Sequence, residues 1–339
     1  MTDIALLPDG ERRTALRAVL DTADGIEVVL ARAPGYDEVL WAELGRQGWL
    51  AAAAPGGGAA DLAVLATELG RARVPTPLHH LVEASWTGAP AAAACCLAAR
   101  VVVTRELLVD GVARYVAYAD SASTLVVVAE GAEGPSLVAV AMDAPGVTVR
   151  TRPSLAGDRQ AEVRLDHVLV RPEAVIARGQ EALDRVTRAR RMSTLSRGAE
   201  AVGASAALVE RTAAHAASRH QFGGPIGRLQ AVQHRCADMV IDHLAALGAV
   251  EDAASALDAG RDGDVELAAA AALVASSCLR VADSAHRVWG GTGYLVDAGI
   301  HRWTRLLRGT AAQLGGVHAS RLALVDHLAA ADGWSTHTT

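Results

Sequence analysis

The sequence predicts an α+β protein with a helical N-terminal domain, a central antiparallel β domain and a C-terminal four-helix bundle. Apolar residues recur at helical spacing up to about residue 98. Valine-rich runs separated by turn signals fill residues 99–178. Helical spacing then returns, and Pro225 is the one remaining proline. We therefore expect domains at residues 1–98, 99–178 and 179–339.

The N-terminal domain is predicted from two amphipathic segments. "YDEVLWAELGRQGWL" and "ADLAVLATELGRARVPTP" both show helical spacing, and Pro75 and Pro77 end the second. The glycines in "AAAAPGGGAA" lack the spacing of a phosphate-binding loop, so this stretch is predicted to be a plain connection.

The β domain is predicted from six short runs in which apolar residues alternate or cluster. They are "ARVVVTREL", "ARYVAYA", "STLVVVAEG", "SLVAVAMD", "VTVRTR" and "AEVRLDHVLV". Runs of this length, separated by signals such as "VDG" and "DAPG", predict a small antiparallel barrel or sandwich.

The C-terminal bundle is predicted from three long helices followed by a shorter one. The long segments begin at "RARRMSTLSRGAEAVG", "GRLQAVQHRCADM" and "DVELAAAAALVASS", and the shorter helix follows "GGTGYLVDAG". Four helices joined by short loops form a bundle.

Composition narrows the classes of function. A chain of 339 residues with 51% hydrophobic and 21% charged residues is typical of a globular protein. A net charge of −6 without a long basic run argues against nucleic acid as a partner. We expect a cytoplasmic protein without a signal peptide or membrane span, because its apolar helices are alanine-rich and interrupted. No metal site is expected, since neither the histidines nor Cys95, Cys96, Cys236 and Cys278 show ligand spacing.

One segment is chemically distinctive. "SRHQFGGPIGRLQAVQHRCADM", residues 218–239, contains Phe222, the single phenylalanine of the chain. Arg219 and two glycines, Gly223 and Gly224, lie next to this phenylalanine in the sequence.

These residues resemble the acyl-CoA dehydrogenase family of flavoproteins. The segment around Phe222 is similar to the family's R-x-Q-F-G-x-P-I-x-x-x-Q signature, and "VWGGTGY", residues 288–294, is similar to its G-G-x-G-[YF] signature. The opening helices resemble those of shorter actinobacterial members. The resemblance covers nearly the whole chain and implies an acyl-CoA dehydrogenase-like fold that binds FAD. It also implies that Arg219 and Phe222 reach the FAD pyrophosphate of a neighbouring subunit, with Gln230 and Gly291 as weaker contacts. A guanidinium can bind a diphosphate through two hydrogen bonds, and Gly223 and Gly224 let the backbone approach closely. In the alternative interpretation, Phe222 anchors the end of the bundle and Arg219 is a solvated charge.

The resemblance is less complete in the β domain. The family's tryptophan–isoleucine–threonine segment, which meets the flavin ring, falls on Tyr115, Val116 and Ala117. Ala117 replaces the threonine that would bond the flavin edge. These three residues are candidates for cofactor binding, and a purely structural role in the strand is the alternative.

The family's catalytic base is missing from its usual positions. The family uses a carboxylate to remove the α-proton of an acyl-CoA while the β-hydride leaves for the flavin. The two positions that carry this glutamate in the family fall on Leu314 and Ser193. Glu200 and Asp297 are the candidates for a displaced base, although either is also typical of a surface or packing carboxylate.

Four functions follow from the resemblance. The first is α,β-dehydrogenation of an acyl-CoA or carrier-bound acyl thioester by a subunit that lacks its own catalytic glutamate and pairs with a sister acyl-CoA dehydrogenase subunit. The second is a homo-oligomeric enzyme with a displaced base. The third is the same fold used for a cyclisation or elimination in a biosynthetic pathway, and the fourth is a scaffold subunit without catalysis.

Five arginines either meet CoA phosphates or form a solvated helix face: Arg185, Arg188, Arg190, Arg191 and Arg197.

Overall fold

The computed structural model of the chain describes residues 9–23, 29, 35–89, 93–132, 134–156 and 158–331. These residues divide into two compact units. One is drawn from Thr22–Gly57 and Pro75–Ser193, and the other from Leu7–Asp21, Gly58–Val74 and Thr194–Thr339. This division differs from the one expected at residues 98 and 178, and the three-domain organisation stays a prediction.

Four α-helices precede the sheet in the described residues. They are α1 (Asp9–Leu20), α2 (Glu38–Arg46), α3 (Ala59–Ala72) and α4 (Leu78–Thr87). Helix α2 begins at Asp37, whose Oδ1 accepts hydrogen bonds from the backbone N–H groups of Val39 and Leu40, both at 3.0 Å. Helix α3 ends before Pro75, as its sequence predicts.

Seven strands form one sheet in the first unit. They are β1 (Ala93–Val103), β2 (Leu108–Ala117), β3 (Thr124–Gly131), β4 (Gly134–Ala141), β5 (Val147–Arg152), β6 (Gln160–Leu169) and β7 (Val175–Arg178). Their order is β5-β6-β2-β1-β3-β4-β7, and every pairing is antiparallel except β1 with β3. The predicted antiparallel domain is confirmed, with one parallel pair at its centre.

The sheet is buried on both faces at its centre. On one face, residues such as Leu125 and Val127 join a core whose described members all come from the sheet and its connections. On the other face, Val126 packs with Ala84 of α4 and with the start of the long helix that follows β7. Burial on both faces explains why β3 shows a continuous apolar run rather than strict alternation.

Two features of the sheet differ from the prediction. Strand β1 begins at Ala93, six residues before the expected start, because Ala93, Ala94 and Cys95 are buried in succession and show no alternation of apolar and polar residues. Strand β7 has four residues and was absent from the six predicted runs. Its pairing with β4 forms one end of the sheet, and β5 forms the other.

Helices dominate the second unit. They are α5 (Gly179–Ser218), whose first part belongs to the first unit, α6 (Gln230–Asp258), α7 (Asp264–Trp289), α8 (His301–Gln313) and α9 (Gly316–Ala331). The predicted C-terminal helical region is confirmed, but its last helix is two helices. Gly315 and Gly316 have φ values of +94° and +75°, a conformation that favours glycine and interrupts the helix.

Helix α7 and the turn after it are long and apolar enough to cross a membrane by length and composition. The candidate segment is Asp264–Tyr294, and 61% of its most apolar window is buried inside the structure. The core helix of a soluble bundle meets the same criterion, so this segment is weak support for a membrane span.

Candidate functional site

The signature segment forms a tight β-hairpin between α5 and α6. Strands β8 (His220–Gln221) and β9 (Gly224–Pro225) pair, and Phe222 and Gly223 occupy the turn with φ values of +53° and +82°. Two successive positive φ values are the mark of a type I′ turn. The Phe222 side chain is left 79% exposed. The alternative role of Phe222 as an apolar anchor therefore fails, because its ring lies in solvent.

Arg228 supports the hairpin through hydrogen bonds to its turn. Its guanidinium donates to the carbonyl oxygens of Phe222 and Gly223, the latter at 3.3 Å. A Cβ at Gly224 would lie 2.8 Å from the Arg228 Nη1 atom, so a larger residue there would require the Arg228 guanidinium to move. The turn that presents Phe222 is thus held by charge-assisted hydrogen bonds.

The two sequence signatures meet at one end of the bundle. Ala216 at the end of α5, Ile226 after the hairpin and Val288 near the end of α7 share a small apolar core. The Trp289 ring stacks on the His215 ring with centroids 4.0 Å apart. This packing brings Gln230, the first residue of α6, and the Gly290–Tyr294 turn to the same end as the hairpin.

Arg219 supplies the positive charge at this end. Its side chain is exposed, and the guanidinium makes no hydrogen bond or ion pair with any residue that the structure describes. The backbone is fixed, since the Ile226 N–H donates to the Arg219 carbonyl at 2.8 Å. Burial, and then the Arg219 charge, lower the pKa of His215 below 6.5. His215 is therefore neutral at pH 7, and Arg219 is the cation beside it.

The second signature leaves room at Gly291. A Cβ built there would meet no atom within 4 Å, and the residue is exposed. Gln230 is exposed as well. An exposed arginine, an exposed aromatic ring and an open glycine at one end of the bundle fit the diphosphate part of a dinucleotide cofactor.

The β-domain candidates are less suited to a flavin ring. Tyr115 sits at an irregularity in the β2–β6 pairing with φ +60° and is 78% exposed. Val116 is fully buried in the sheet core, and Ala117 is 6% exposed. The Tyr115 ring and the strand backbone are therefore what this segment can offer to a ligand, and no side-chain hydroxyl is present at Ala117.

The candidate bases lie in different surroundings. Asp297 is exposed in the 3₁₀ turn Val296–Ala298. Glu200 is half-buried in α5, where its carbonyl oxygen faces Gly70 of α3. Leu314 caps the end of α8 and its N–H is bonded to the Thr310 carbonyl at 2.9 Å. The roles of Glu200 and Asp297 stay predictions.

Ser193 meets a carboxylate that sequence reasoning did not select. The Ser193 hydroxyl donates to Oε1 of Glu83, on α4, at 2.7 Å. The side chain of Glu83 is 12% exposed, and Ser193 is 6% exposed. An acid on an amphipathic helix carries no signal of a site in the sequence, because its partner is 110 residues away.

Most of the five arginines of α5 have partners within the described part of the chain. Arg185 bonds the Thr87 carbonyl and Glu181, Arg190 bonds the Leu97 carbonyl, and Arg197 bonds Gln313. These contacts hold helix α5 in place and favour a structural role over the binding of CoA phosphates.

One exposed group in the described residues has metal-ligand spacing. Ligand atoms of Asp110, Asp166 and His167 lie within 4.8 Å of one another at the sheet surface. Asp166, followed by Asp110, raises the pKa of His167 above 6.5, as expected for an imidazole that is paired with carboxylates. Exposed acidic groups are common without a metal, and the expectation of no metal stays a prediction.

Comparison with known proteins agrees with the geometry. Residues 183–324 match the family described as acyl-CoA dehydrogenase, C-terminal domain. The acyl-CoA dehydrogenase IpdE2 of Mycobacterium tuberculosis is 29% identical over 304 residues, which are 85% of this chain and 86% of that protein. The probable acyl-CoA dehydrogenase YngJ of Bacillus subtilis is 27% identical over 209 residues, or 59% of this chain and 55% of that protein. The chain spans about half the length of several of the curated relatives that it matches.

Solved structures share the fold. A chain of the ChsE4–ChsE5 complex from Mycobacterium tuberculosis aligns with a TM-score of 0.85 at 24% identity, covering 95% of this chain and 97% of that chain. A variant of the Tcur3481–Tcur3483 steroid ACAD aligns with a TM-score of 0.83 at 26% identity, covering 96% and 100%. The fold is therefore that of the acyl-CoA dehydrogenases, FAD-dependent oxidoreductases that act on a CH–CH bond. Residues 183–324 match the C-terminal domain of that family, and the chain as a whole is similar to acyl-CoA dehydrogenases in sequence and in fold.

Proposed function

We propose that this chain is a subunit of a cytoplasmic flavoenzyme that removes two hydrogens from the α and β carbons of an acyl-CoA or carrier-bound acyl thioester. The observation that carries the proposal is the hairpin end of an acyl-CoA dehydrogenase C-terminal domain, with exposed Arg219 and Phe222. The similarity to acyl-CoA dehydrogenases supports the reaction type, and the hairpin supports the cofactor.

The chain's own residues would bind one part of FAD. Arg219 would pair with the diphosphate, which carries two negative charges, and the Phe222 ring would cover it. Gln230 and the open backbone at Gly291 would complete this contact. When bound, FAD supplies the hydride acceptor for the β carbon, and the residues of the chain hold and orient it.

This chain offers fewer side chains suited to the flavin ring than to the diphosphate. Ala117 has no hydroxyl, and Val116 is turned into the sheet core. Tyr115 offers an exposed ring. This supports a shared cofactor site, in which the hairpin of one subunit and the β domain of another bind the two ends of FAD.

A sister subunit of the same fold is the partner we infer. Two structural relatives carry paired names, the ChsE4–ChsE5 complex and Tcur3481–Tcur3483. Helix α6 exposes an apolar strip of Val240, Ile241 and Leu244, which share one helix face. Exposed apolar strips of this kind mark interaction surfaces in proteins that assemble. A homo-oligomer would use the same strip.

Replacement of Arg219 tests the cofactor assignment. We expect Arg219→Ala to weaken FAD retention by about 1.5–3 kcal/mol, the range for a hydrogen bond to a charged group. The matched control is Arg321→Ala, which removes another exposed arginine from the same unit. FAD content after purification, with and without the sister chain, is read from flavin absorbance. Equal FAD content in wild type and Arg219→Ala would reject the role of Arg219.

If the wild-type chain contains no FAD when purified alone or with its sister chain, a different reaction of the same fold, such as a cyclisation or elimination, is favoured. Reduction of bound FAD by a panel of acyl-CoA thioesters is the corresponding positive result for the dehydrogenase.

A further inference from the structure

The Glu83 carboxylate is enclosed and oriented by neighbours within one compact unit. Helix α4 packs against β1, and the Glu83 side chain is 12% exposed. Ser193 on α5 donates a hydrogen bond to Oε1 at 2.7 Å. His80, one turn before Glu83 on α4, places Nδ1 3.9 Å from Oε2. A hydroxyl on one oxygen and an imidazole near the other define the orientation of the carboxylate.

The surroundings of this carboxylate are apolar and aromatic. The buried Cys95 thiol is close enough that, after burial itself, the Glu83 charge raises the thiol's pKa further. The His80 ring meets the Tyr118 ring edge-on at 6.1 Å, and Tyr118 meets Tyr36 at 5.6 Å. The His80 imidazole near the carboxylate is therefore itself held against tyrosine rings, in a chain with only 3% aromatic residues.

We propose that Glu83 is the proton-abstracting base of this enzyme and that Ser193 is its positioning residue. This inference rests on the proposed function, because it needs an acyl thioester as substrate. In the step, the C–H bond at the α carbon breaks, the proton bonds to a Glu83 oxygen, and the electron pair remains on the thioester as its enolate. A carboxylate from α4 thereby takes the place of the acid that is missing at Leu314 and Ser193.

The alternative is that Glu83 and Ser193 only tie α4 to α5. This hydrogen bond between the helices is kept when Glu83 is changed to glutamine, because the amide oxygen still accepts a hydrogen bond from the serine hydroxyl and the side-chain volume is unchanged. Proton abstraction does not survive it, because an amide is not a base at neutral pH. Glu83→Gln therefore separates the two roles while keeping the contact that the structure shows.

Deuterium exchange at the α carbon tests the step without relying on turnover. The FAD-loaded protein, with its sister chain where FAD retention needs one, is incubated in D₂O with straight-chain acyl-CoA thioesters from butyryl- to octanoyl-CoA. Mass spectrometry follows deuterium at the α carbon. We expect wild type to catalyse exchange and Glu83→Gln to lose about 10²–10⁴-fold of the exchange rate. Glu106→Gln, which changes an exposed glutamate of the same unit, is the control and should exchange as wild type does.

Two further variants distinguish a base from a packing residue. Ser193→Ala should lower the exchange rate by less than Glu83→Gln does, because it leaves the carboxylate but frees its orientation. Adding Ser193→Glu to Glu83→Gln returns a carboxylate to the same place from the other helix, and we expect it to recover part of the lost exchange. Thermal unfolding and FAD content of each variant show that the fold is kept.

Each outcome decides the inference. Exchange in wild type with no loss in Glu83→Gln would overturn the role of Glu83 and leave the proposed function intact. Binding of the thioesters without exchange in wild type would also overturn the role of Glu83, and FAD reduction by the same thioesters then reports on the proposed function separately. If wild type binds none of them, the proposed substrate class and the role of Glu83 are both rejected.

Discussion

Glu68 shows how this chain keeps a charge inside a helical unit. Its side chain is 1% exposed, yet it accepts hydrogen bonds from Arg17 at 2.7 and 2.9 Å and from Arg13 at 3.1 Å. Burial acts to raise the pKa of Glu68, but the two arginines outweigh it and hold that pKa below 4.5. The carboxylate of α3 is therefore ionised and fastens α1, a short helix that would not be stable alone.

We expect Glu68→Gln to lower the free energy of unfolding by about 1.5–3 kcal/mol at pH 7, since it weakens hydrogen bonds between charged groups. The contribution of Glu68 is fully present above about pH 4.5, the unfolded-state pKa, and is lost as pH falls through the lower pKa of the folded state. Urea unfolding of wild type and variant between pH 7 and pH 3 measures it. A difference between the two proteins that does not shrink at low pH would contradict this assignment.

Individual residues were unevenly predictable from the sequence. Arg219 and Phe222 are exposed, and their contact with the FAD pyrophosphate of a neighbouring subunit stays a prediction. Glu83 was not selected, because its meaning depends on a contact with Ser193 across 110 residues. The burial of Val116 likewise depends on strands that are distant in the sequence, and a short apolar segment does not show which strands will pack against it.

At the scale of elements, helices α3 and α5 cross with their backbones almost in contact. A Cβ at Gly203 would lie 1.8 Å from the Thr67 carbonyl oxygen, and a Cβ at Gly70 would lie 1.9 Å from the Glu200 carbonyl oxygen. Two glycines, one on each helix, permit this crossing. The half-buried Glu200 lies at this crossing, so packing between α3 and α5 accounts for its position without a catalytic role.

We expect Gly203→Ala to destabilise the protein by about 3 kcal/mol, because the added methyl forces two backbones apart. Gly248→Ala is the matched control in α6, where a Cβ meets no atom within 4 Å. That change should stabilise by about 0.5–1 kcal/mol, since alanine loses less backbone entropy in a helix. Thermal unfolding of both variants provides the measurement, and a Gly203→Ala variant as stable as wild type would refute the close crossing.

The presence of each helix or strand was more predictable from the sequence than the residues at which it begins and ends. Long alanine-rich periodicity is sufficient for α5, α6 and α7, because each has a sustained apolar pattern. The start of β1 was missed because small residues buried on both faces lack alternation. The break at Gly315 was missed because a glycine pair inside an apolar pattern gives no indication of its φ angles.

At the scale of the whole molecule, the exposed strip on α6 bears on assembly. Ile241 is 64% and Leu244 is 56% exposed, and Val240 beside them is 40% exposed. Apolar side chains grouped on one face of a surface helix are removed from water when a second chain covers them. The proposed shared FAD site also requires such a second chain.

We expect Leu244→Arg to weaken assembly about tenfold or more, because a buried guanidinium without a partner carries a large desolvation penalty. Leu169→Arg, which alters a 70% exposed residue of β6, is the control and should leave assembly unchanged. Light scattering across a concentration series, with the chain alone and mixed with its sister chain, gives the mass. A wild-type chain that stays a 35 kDa monomer in both cases would refute the assembly.

The conformation of Phe222 has an evolutionary consequence. Its φ of +53° is one that glycine and asparagine adopt freely and that disfavours a bulky side chain by about 1–2 kcal/mol. Selection for stability alone would favour glycine at this position, the residue that follows it at Gly223. The single phenylalanine of the chain, strained and facing solvent, therefore fits a position where an aromatic surface is kept at a cost in heat resistance.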